Sequence, residues 1–233
     1  MSTIKLIDMY ASPWAERVRW ALALKGVPYE KQDYRPGADE EAVKKLTGQA
    51  QVPVLLVNGT VIPDSTAILD WLEQFKPKPA LLPASEQDRA QVTLWEELMG
   101  GVLGPQARML VVGHFLRSDQ PELQQGGHYF AQKYQHSPYA EEHAKATVER
   151  ILTVLKHALA GRQYLVGETF SRADIITASM LLLVNPPPDD LFLFPAAMRP
   201  LYTMPRTRDA AFAPIFAWRD EMYRKHRGEV VKP

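Results

Sequence analysis

The segment Val52-Pro53-Val54-Leu55-Leu56-Val57-Asn58-Gly59-Thr60-Val61-Ile62 constrains this chain more than any other. Asn-Gly readily takes the positive φ angles of a two-residue hairpin turn, so the apolar stretches on either side pair antiparallel. Upstream, residues 4–9 read as a short strand, and Ser12-Pro13 then starts a helix. Serine caps the first amides and proline suits the first helical position. Trp14, Val18, Ala21 and Leu22 recur at helical spacing, and Gly26-Val27-Pro28 supplies the stop. Residues 29–34 make a second strand with weak alternation. A strand–helix–strand crossover puts the two strands parallel and is almost always right-handed. A polar helix follows near residues 40–46. After the hairpin, Ser65 is placed to cap a helix carrying Ile68, Leu69, Leu72 and Phe75 toward a core. Residues 1–76 thus predict a small mixed sheet with helices, built as βαβ and then ββα.

Lys76-Pro77-Lys78-Pro79-Ala80-Leu81-Leu82-Pro83 is too rich in proline for a helix or a central strand, so residues 77–85 read as a semi-rigid linker. Residues 86–233 then predict an all-helical domain. Ser85 and Asp88 make a capping-box-like start, and Val92, Trp95, Met99 and Val102 repeat at helical spacing. Gly100-Gly101 and Gly104-Pro105 are expected to bend or break that helix. Ala144, Val148, Ile151, Leu155 and Leu159 mark another amphipathic helix. Residues 185–214 hold proline-rich sequence with no clear period, and residues 215–226 suggest a last helix.

Bulk composition narrows the chemistry. The chain is 46% hydrophobic and 23% charged, which excludes a disordered or low-complexity chain. Its 27 basic and 27 acidic residues cancel, which removes the long-range field that draws a protein to nucleic acid or anionic lipid. Cysteine is absent, so there is no disulfide, no thiolate metal site and no cysteine nucleophile, and any thiol chemistry must use a borrowed thiol. The six histidines lack metal-ligand spacing, and no metal is expected. No apolar run approaches the roughly 18 residues that span a bilayer. The opening Met-Ser-Thr-Ile-Lys carries no basic leader, so a cytoplasmic location is the default expectation. There is no Gly-x-Ser-x-Gly elbow and no phosphate-cradling glycine loop, against hydrolase, kinase and dinucleotide readings.

Three separated segments together resemble the cytosolic glutathione transferases. The first is Ala11-Ser12-Pro13-Trp14-Ala15-Glu16-Arg17-Val18-Arg19-Trp20-Ala21-Leu22 with Lys25-Gly26-Val27-Pro28-Tyr29-Glu30, similar to the opening of the tau class and, with serine for cysteine, the omega class. The second is Gln51-Val52-Pro53-Val54-Leu55 with Asp64-Ser65-Thr66-Ala67-Ile68-Leu69. The third is Gly167-Glu168-Thr169-Phe170-Ser171-Arg172-Ala173-Asp174-Ile175. The resemblance implies a thioredoxin-like first domain with a mixed four-stranded sheet, a helical second domain, glutathione as co-substrate and a homodimer.

It also implies roles. Ser12 stands between a strand and a helix, where the helix dipole and free amides favour negative charge. A free thiol has a pKa near 8.5. Lowering it by about two units takes ~2.7 kcal/mol of preferential anion stabilisation. One hydroxyl donor to a charged acceptor supplies about 1.5–3 kcal/mol, and a helix N-terminus about 0.3–1 more. Val52-Pro53 resembles the family's cis-proline turn, which exposes the amide and carbonyl of Val52 to the cysteinyl backbone of glutathione like an added strand, and Gln51 stands at one position where tau enzymes place a lysine near the glycyl carboxylate. Asp64 and Ser65 resemble the pair that holds the γ-glutamyl end, with Asp64 accepting from the ammonium while the Ser65 hydroxyl and helix amides receive the carboxylate. Taken alone, Ser12 is a helix cap, Val52-Pro53 a trans bond opening an edge strand, and Asp64-Ser65 a cap with an acidic neighbour.

The second substrate is expected against Tyr10 and Trp14, near Arg108 and Met109, and closed by Phe212 or Trp218. Ser171 with Asp174 has the capping-box arrangement, with Phe170 and Ile175 as its hydrophobic staple, and is read as structural. Arg17 and Arg19 are read as structural ion-pair formers. Departures from the family pattern are Thr47-Gly48, where Asn-Pro is common, and missing lysines for the glycyl carboxylate, which implies either a weaker grip on glutathione or substitution by Arg35 or Lys44. The chemistry expected is conjugation of glutathione to a small hydrophobic electrophile. The alternatives are a glutathione-dependent isomerase, lyase or peroxidase, and a non-enzymatic module that binds ligands or proteins.

Overall fold

A computed structural model of the chain describes residues 3–232, the side chains of Arg206 and Arg208 excepted. It divides into two compact units, one ending at Pro83 and one running Ala84–Lys232.

The first unit comprises β1 (Ile4–Asp8), α1 (Pro13–Leu24), β2 (Glu30–Asp33), α2 (Glu40–Thr47), β3 (Val54–Val57), β4 (Thr60–Ile62) and α3 (Ser65–Phe75). The strands lie in the order β2-β1-β3-β4, with β1 parallel to β2 and antiparallel to β3, and β3 antiparallel to β4. This is the mixed four-stranded, thioredoxin-like sheet expected from the sequence. Asn58 at φ 50° and Gly59 at φ 86° make the turn that sets Val57 opposite Thr60. Asn58 also clips the hairpin to the start of the chain, its Oδ1 accepting from the Thr3 amide at 2.9 Å.

Central strand β1 is covered on both faces, so its successive residues Leu6 and Ile7 are both fully buried. Ile7 packs with Tyr34, Val43 and Val54. Val18, Ala21, Leu22, Ile68 and Leu72 of α1 and α3 are likewise fully buried, and each of the valine, leucine and isoleucine side chains contributes about 1.5–3 kcal/mol. All four residues of β2 are exposed, the mark of an edge strand and the reason its alternation was weak. The proline-rich segment after α3 is anchored from behind. Buried Lys25 donates to the carbonyls of Lys76 and Pro79 at 2.8 and 2.7 Å and pairs with Glu73 at 2.9 Å.

The second unit is helical: α4 (Glu86–Glu96), α5 (Gly104–Leu116), α6 (Pro121–Lys133), α7 (Pro138–Ala158), α8 (Arg172–Met180), the short α9 (Arg199–Tyr202) and α10 (Ala213–Met222). Every residue of α8 is buried, and α4, α10 and the segment after α4 pack around it. Its Arg172 is neutralised by Glu96 at 3.0 Å inside the core.

Three features depart from the sequence expectation. The glycines and Pro105 do not break the helix that starts at Glu86. A π-helical stretch, Glu97–Leu103, carries it into α5, and the Gly104 amide donates to the Met99 carbonyl five residues back. The wider turn accommodates the N–H that Pro105 lacks, and Val102, expected inward, is 40% exposed. Second, α6 has no counterpart in the sequence reading. Third, residues 185–214 follow a path set by arginines and the chain end. Arg199 donates to the carbonyls of Pro186 and Pro187 at 3.2 and 2.9 Å, Arg219 reaches the Asn185 carbonyl, and Phe192 bridges to Val231.

Helix α6 buries one residue of its own, Gly127. A Cβ at that position would stand 2.8 Å from the Leu116 amide nitrogen and 2.9 Å from the Phe115 carbonyl carbon, whereas at Gly126 the nearest atom, in the Phe115 ring, is 3.9 Å away. Backbone cannot yield as a side-chain tip can. Gly127→Ala is therefore expected to cost about 1–3 kcal/mol through overpacking. Gly126→Ala is expected to be neutral or to stabilise by about 0.5–1 kcal/mol through reduced chain entropy. Urea unfolding of the two variants checks the contrast, and equal midpoints would refute the close approach of α5 and α6.

Candidate active site

The strand-to-helix junction holds Ser12 as the N-cap of α1, with Pro13 in the first turn. Its Oγ accepts from the Ala15 amide at 3.4 Å, and its own amide donates to the Met9 carbonyl at 2.9 Å. The residue is 5% exposed. A hydroxyl carries one proton and two acceptor sites. Here one acceptor site is engaged, and among the described residues the proton is donated to nothing. The cap role and the donor role are thus compatible on one side chain.

Val52-Pro53 is a cis peptide ahead of β3. Val52 lies before the β1–β3 ladder, which begins with Val54 opposite Ile7, and among the described residues neither its amide nor its carbonyl is hydrogen-bonded. Gln51 is exposed beside it.

At the start of α3 the capping expectation is corrected. Asp64, not Ser65, is the N-cap, and its Oδ1 accepts from the amides of Thr66 and Ala67 at 2.8 and 3.1 Å. The shorter side chain of Ser65 is the first helical residue and is buried. Those two amides are therefore already taken by a carboxylate, and a ligand anion has the Ser65 end alone. The second oxygen of Asp64 makes no hydrogen bond among the described residues and is open to an ammonium.

Arg35 is a second correction. Its guanidinium binds Asp39 through two nitrogens at 2.8 and 3.1 Å, and Asp39 also accepts from the Arg35 amide. That bidentate pair holds the Asp39 carboxyl below its usual range, so Arg35 is committed locally. Lys44, in the last turn of α2, is exposed.

The expected second-substrate residues fall in both units. In the first, Tyr10 and Trp14 are half-buried, with the Arg19 guanidinium 5.8 Å from the Tyr10 ring centroid. In the second, Met109 is half-buried and Arg108 lies 3.7 Å above the Tyr134 ring. Burial lowers the Arg108 pKa, and Tyr134 opposes that effect. Trp218 and Phe212 are buried, and the Trp218 indole donates to the Gln163 carbonyl at 2.8 Å. The tryptophan is packed and hydrogen-bonded within its own unit, as an aromatic at helical spacing often is. A cavity of about 800 Å³ in the helical unit is lined by Leu110, His114, Arg117, Glu141, Leu152 and Met204 among others. Arg108, Met109 and Trp218 are not part of its wall.

Arg19 carries more than an ion pair. Its nitrogens reach Asp8, Glu16 and the Tyr10 carbonyl at 2.7, 2.9 and 2.9 Å. Arg17 donates to the Thr66 hydroxyl at 3.1 Å. The sequence signal for the first network was two acids and a base placed around an otherwise apolar strand and helix start. Sequence could not show that all three point inward. Two of the histidines have side-chain partners, His136 on Glu141 at 3.2 Å and His226 stacked on Phe170 with centroids 3.9 Å apart. Among the described residues no three acidic or histidine side chains gather as metal ligands do, and no helix is long and apolar enough to cross a membrane.

Comparison with known proteins places this geometry. Residues 6–80 match the model of the glutathione S-transferase N-terminal domain, and residues 120–224 that of the C-terminal domain. A probable glutathione S-transferase of Nicotiana tabacum is 30% identical over 75% of this chain and 68% of its own. Maleylacetoacetate isomerase of Rattus norvegicus is 30% identical over 74% of each. A crystal structure of a glutathione S-transferase from Methylobacterium radiotolerans, in complex with glutathione sulfonate, superposes with a TM-score of 0.70 at 25% identity, covering 98% of this chain and 94% of the other.

Proposed function

The chain belongs to the cytosolic glutathione S-transferase family, and on that premise we propose that it binds glutathione in the first unit and uses Ser12 to hold the sulfur as a thiolate for attack on a small electrophile. The observation that carries the reading is the Ser12 hydroxyl, which caps α1 through its oxygen and keeps its proton for another acceptor. A sulfur anion accepting that proton lies at the positive end of a helix and away from bulk water, where a charge-assisted bond is strongest. The main-chain groups of Val52 suit the cysteinyl residue of glutathione, as an extended peptide adds to a strand. The second oxygen of Asp64 suits the ammonium, and the Ser65 end of α3 the neighbouring carboxylate. Gln51, next to Val52 in the chain, is proposed to contact glutathione as well. Tyr10 and Trp14 are proposed to meet the electrophile.

The test is spectroscopic. Wild-type protein titrated with glutathione at neutral pH is expected to gain the ultraviolet band of a thiolate, and Ser12→Ala to bind immobilised glutathione without that band. A band of equal size in the variant would overturn the role of the hydroxyl.

The rat relative favours a second reading that uses the same thiolate, cis–trans isomerisation of an alkene conjugated to a carbonyl. The sulfur adds to one alkene carbon, the new single bond rotates, and elimination restores both the double bond and the thiolate, so glutathione is not consumed. Conjugation consumes it one for one. Counting free thiol during turnover separates the two. A homodimer, which the family resemblance implies, belongs to the same proposal, and Leu94 of α4, 69% exposed, is the side chain chosen to test it. Sedimentation of wild type and Leu94→Glu tests it, with a shift to monomer expected.

A further inference from the structure

The loop from β1 to α1 is spanned by one side chain rooted well inside the helix. Arg19 points back toward the helix start, as helical side chains do. Each of its three nitrogens engages a different part of the junction. Nη1 donates to Asp8 at the end of β1, Nη2 to the carbonyl of Tyr10 within the loop, and Nε to Glu16 in the first turn of α1. The Tyr10 carbonyl is two residues from Ser12. Asp8 and Glu16 are fully buried, and Arg19 is 5% exposed.

Stability is a weak reason for such an arrangement. Buried ion pairs often do no better than apolar residues of similar volume, because desolvation offsets the attraction. The cost is visible here. Burial raises the pKa of Asp8 against the pull of Arg19, with Lys31 and Asp33 on neighbouring β2 as lesser influences. Among the described residues Asp8 Oδ1 is buried with no hydrogen-bond partner. Burial also works against the Arg19 charge, but Glu16 and Asp8 outweigh it and push its pKa up. What the network supplies that apolar packing cannot is direction. A planar guanidinium fixes three acceptors at set angles, which a lysine ammonium does not.

We propose that Arg19 is a positioning residue for thiolate formation: by holding Asp8, the Tyr10 carbonyl and Glu16 in one fork, it fixes the loop so that the Ser12 hydroxyl stands where the glutathione sulfur binds. This rests on the reading of Ser12 given above. A hydrogen bond to an anion weakens steeply with small errors in distance and angle, so a loosened loop lowers thiolate yield before it lowers glutathione binding.

The experiment follows the thiolate band of bound glutathione across pH in wild type, Arg19→Lys, Asp8→Asn and Ser12→Ala, alongside kcat and the KM for glutathione. Arg19→Lys keeps the charge and loses the fork. It is expected to raise the bound thiol's pKa by about one unit, roughly a tenfold loss of thiolate below that pKa. Turnover should fall in proportion and recover at high pH, with the KM for glutathione changed less than about threefold. Asp8→Asn keeps an acceptor for Nη1 and removes a negative charge, so a purely electrostatic influence lowers the thiol pKa. Positioning predicts a small rise, because the fork is held less firmly. Should Arg19→Lys fail to fold, that sign decides the matter. An unchanged thiol pKa in Arg19→Lys, or a fall in Asp8→Asn, overturns the inference. If Ser12→Ala shifts the band while Arg19→Lys does not, positioning fails and the Ser12 reading stands. A wild-type band in Ser12→Ala brings both down.

Discussion

Replacing Ser12 with alanine is expected to lower kcat/KM toward a generic aryl halide at neutral pH by roughly 10- to 100-fold. That range is what losing one hydrogen bond to a charged acceptor costs, about 1.5–3 kcal/mol. The deficit has a pH signature. Free glutathione ionises near pH 8.5 without help, so the gap between variant and wild type should narrow as pH rises through that value. A lost binding contact would instead leave a gap independent of pH. Because Ser12 also caps α1, the variant should be less stable by about 1 kcal/mol. Circular dichroism at the assay temperature must therefore show a folded protein before the rates are compared. A folded Ser12→Ala with wild-type turnover would sink the assignment of the hydroxyl.

The second large effect concerns folding. Asp174 is fully buried at the start of α8. Its Oδ1 accepts from the Leu165 amide at 2.9 Å, and its Oδ2 from the Ser171 amide at 2.8 Å and the Ser171 hydroxyl at 3.1 Å. It thus forms half of a capping box and also ties the incoming loop to the helix. Asp174→Ala orphans two buried amides at about 1–3 kcal/mol each, partly offset by relief of a desolvated charge, for a net loss of about 2–4 kcal/mol at pH 7. In a protein of this size that is a fall of roughly 5–15 °C in Tm.

Burial pushes the Asp174 carboxyl up to about 6, against the opposing effect of its backbone and Ser171 hydrogen bonds. The folded state therefore holds this proton more tightly than the unfolded chain does. Between about pH 4 and 6 the folded form binds more protons, so the group's contribution to stability is largest below pH 4 and declines as pH rises to 6. The alanine variant lacks that decline. Asp174→Ala should accordingly cost more at pH 4 than at pH 7, by up to about 3 kcal/mol. Denaturant unfolding at both values checks the sign, since the other carboxylates titrate alike in both proteins. A penalty larger at pH 7 would show that Asp174 is stabilised as the anion.

The elements legible in the sequence are those whose signal is local. Asn58-Gly59 is a turn because few other residues accept two successive positive φ angles, and it fixed the β3–β4 register unaided. Ser12-Pro13, Ser85 with Asp88, and Ser171 with Asp174 announced helix starts because a short polar side chain satisfies amides within a turn of itself. Where two capping residues are adjacent the local signal is degenerate, and Asp64 rather than Ser65 took the amides of α3.

The rest was decided by partners distant in sequence. Helix α6 approaches α5 through the bare backbone at Gly127, and glycines stand at two of the inward positions between Leu123 and Phe130, so its inward face carries little apolar signal. The path of 185–214 is held by its own Arg199, which reaches back 12 and 13 residues, and by Arg219 and Val231 from outside the segment, none of which a local period reveals. Ser12 could be named a cap from its neighbours. That its proton is left unclaimed, and that Arg19 seven residues on grips the loop beneath it, depends on which side chains fold inward together. Backbone preference is a property of a few adjacent residues and is written where it acts, whereas the orientation of a hydroxyl or a guanidinium is set by the atoms that surround it only after folding.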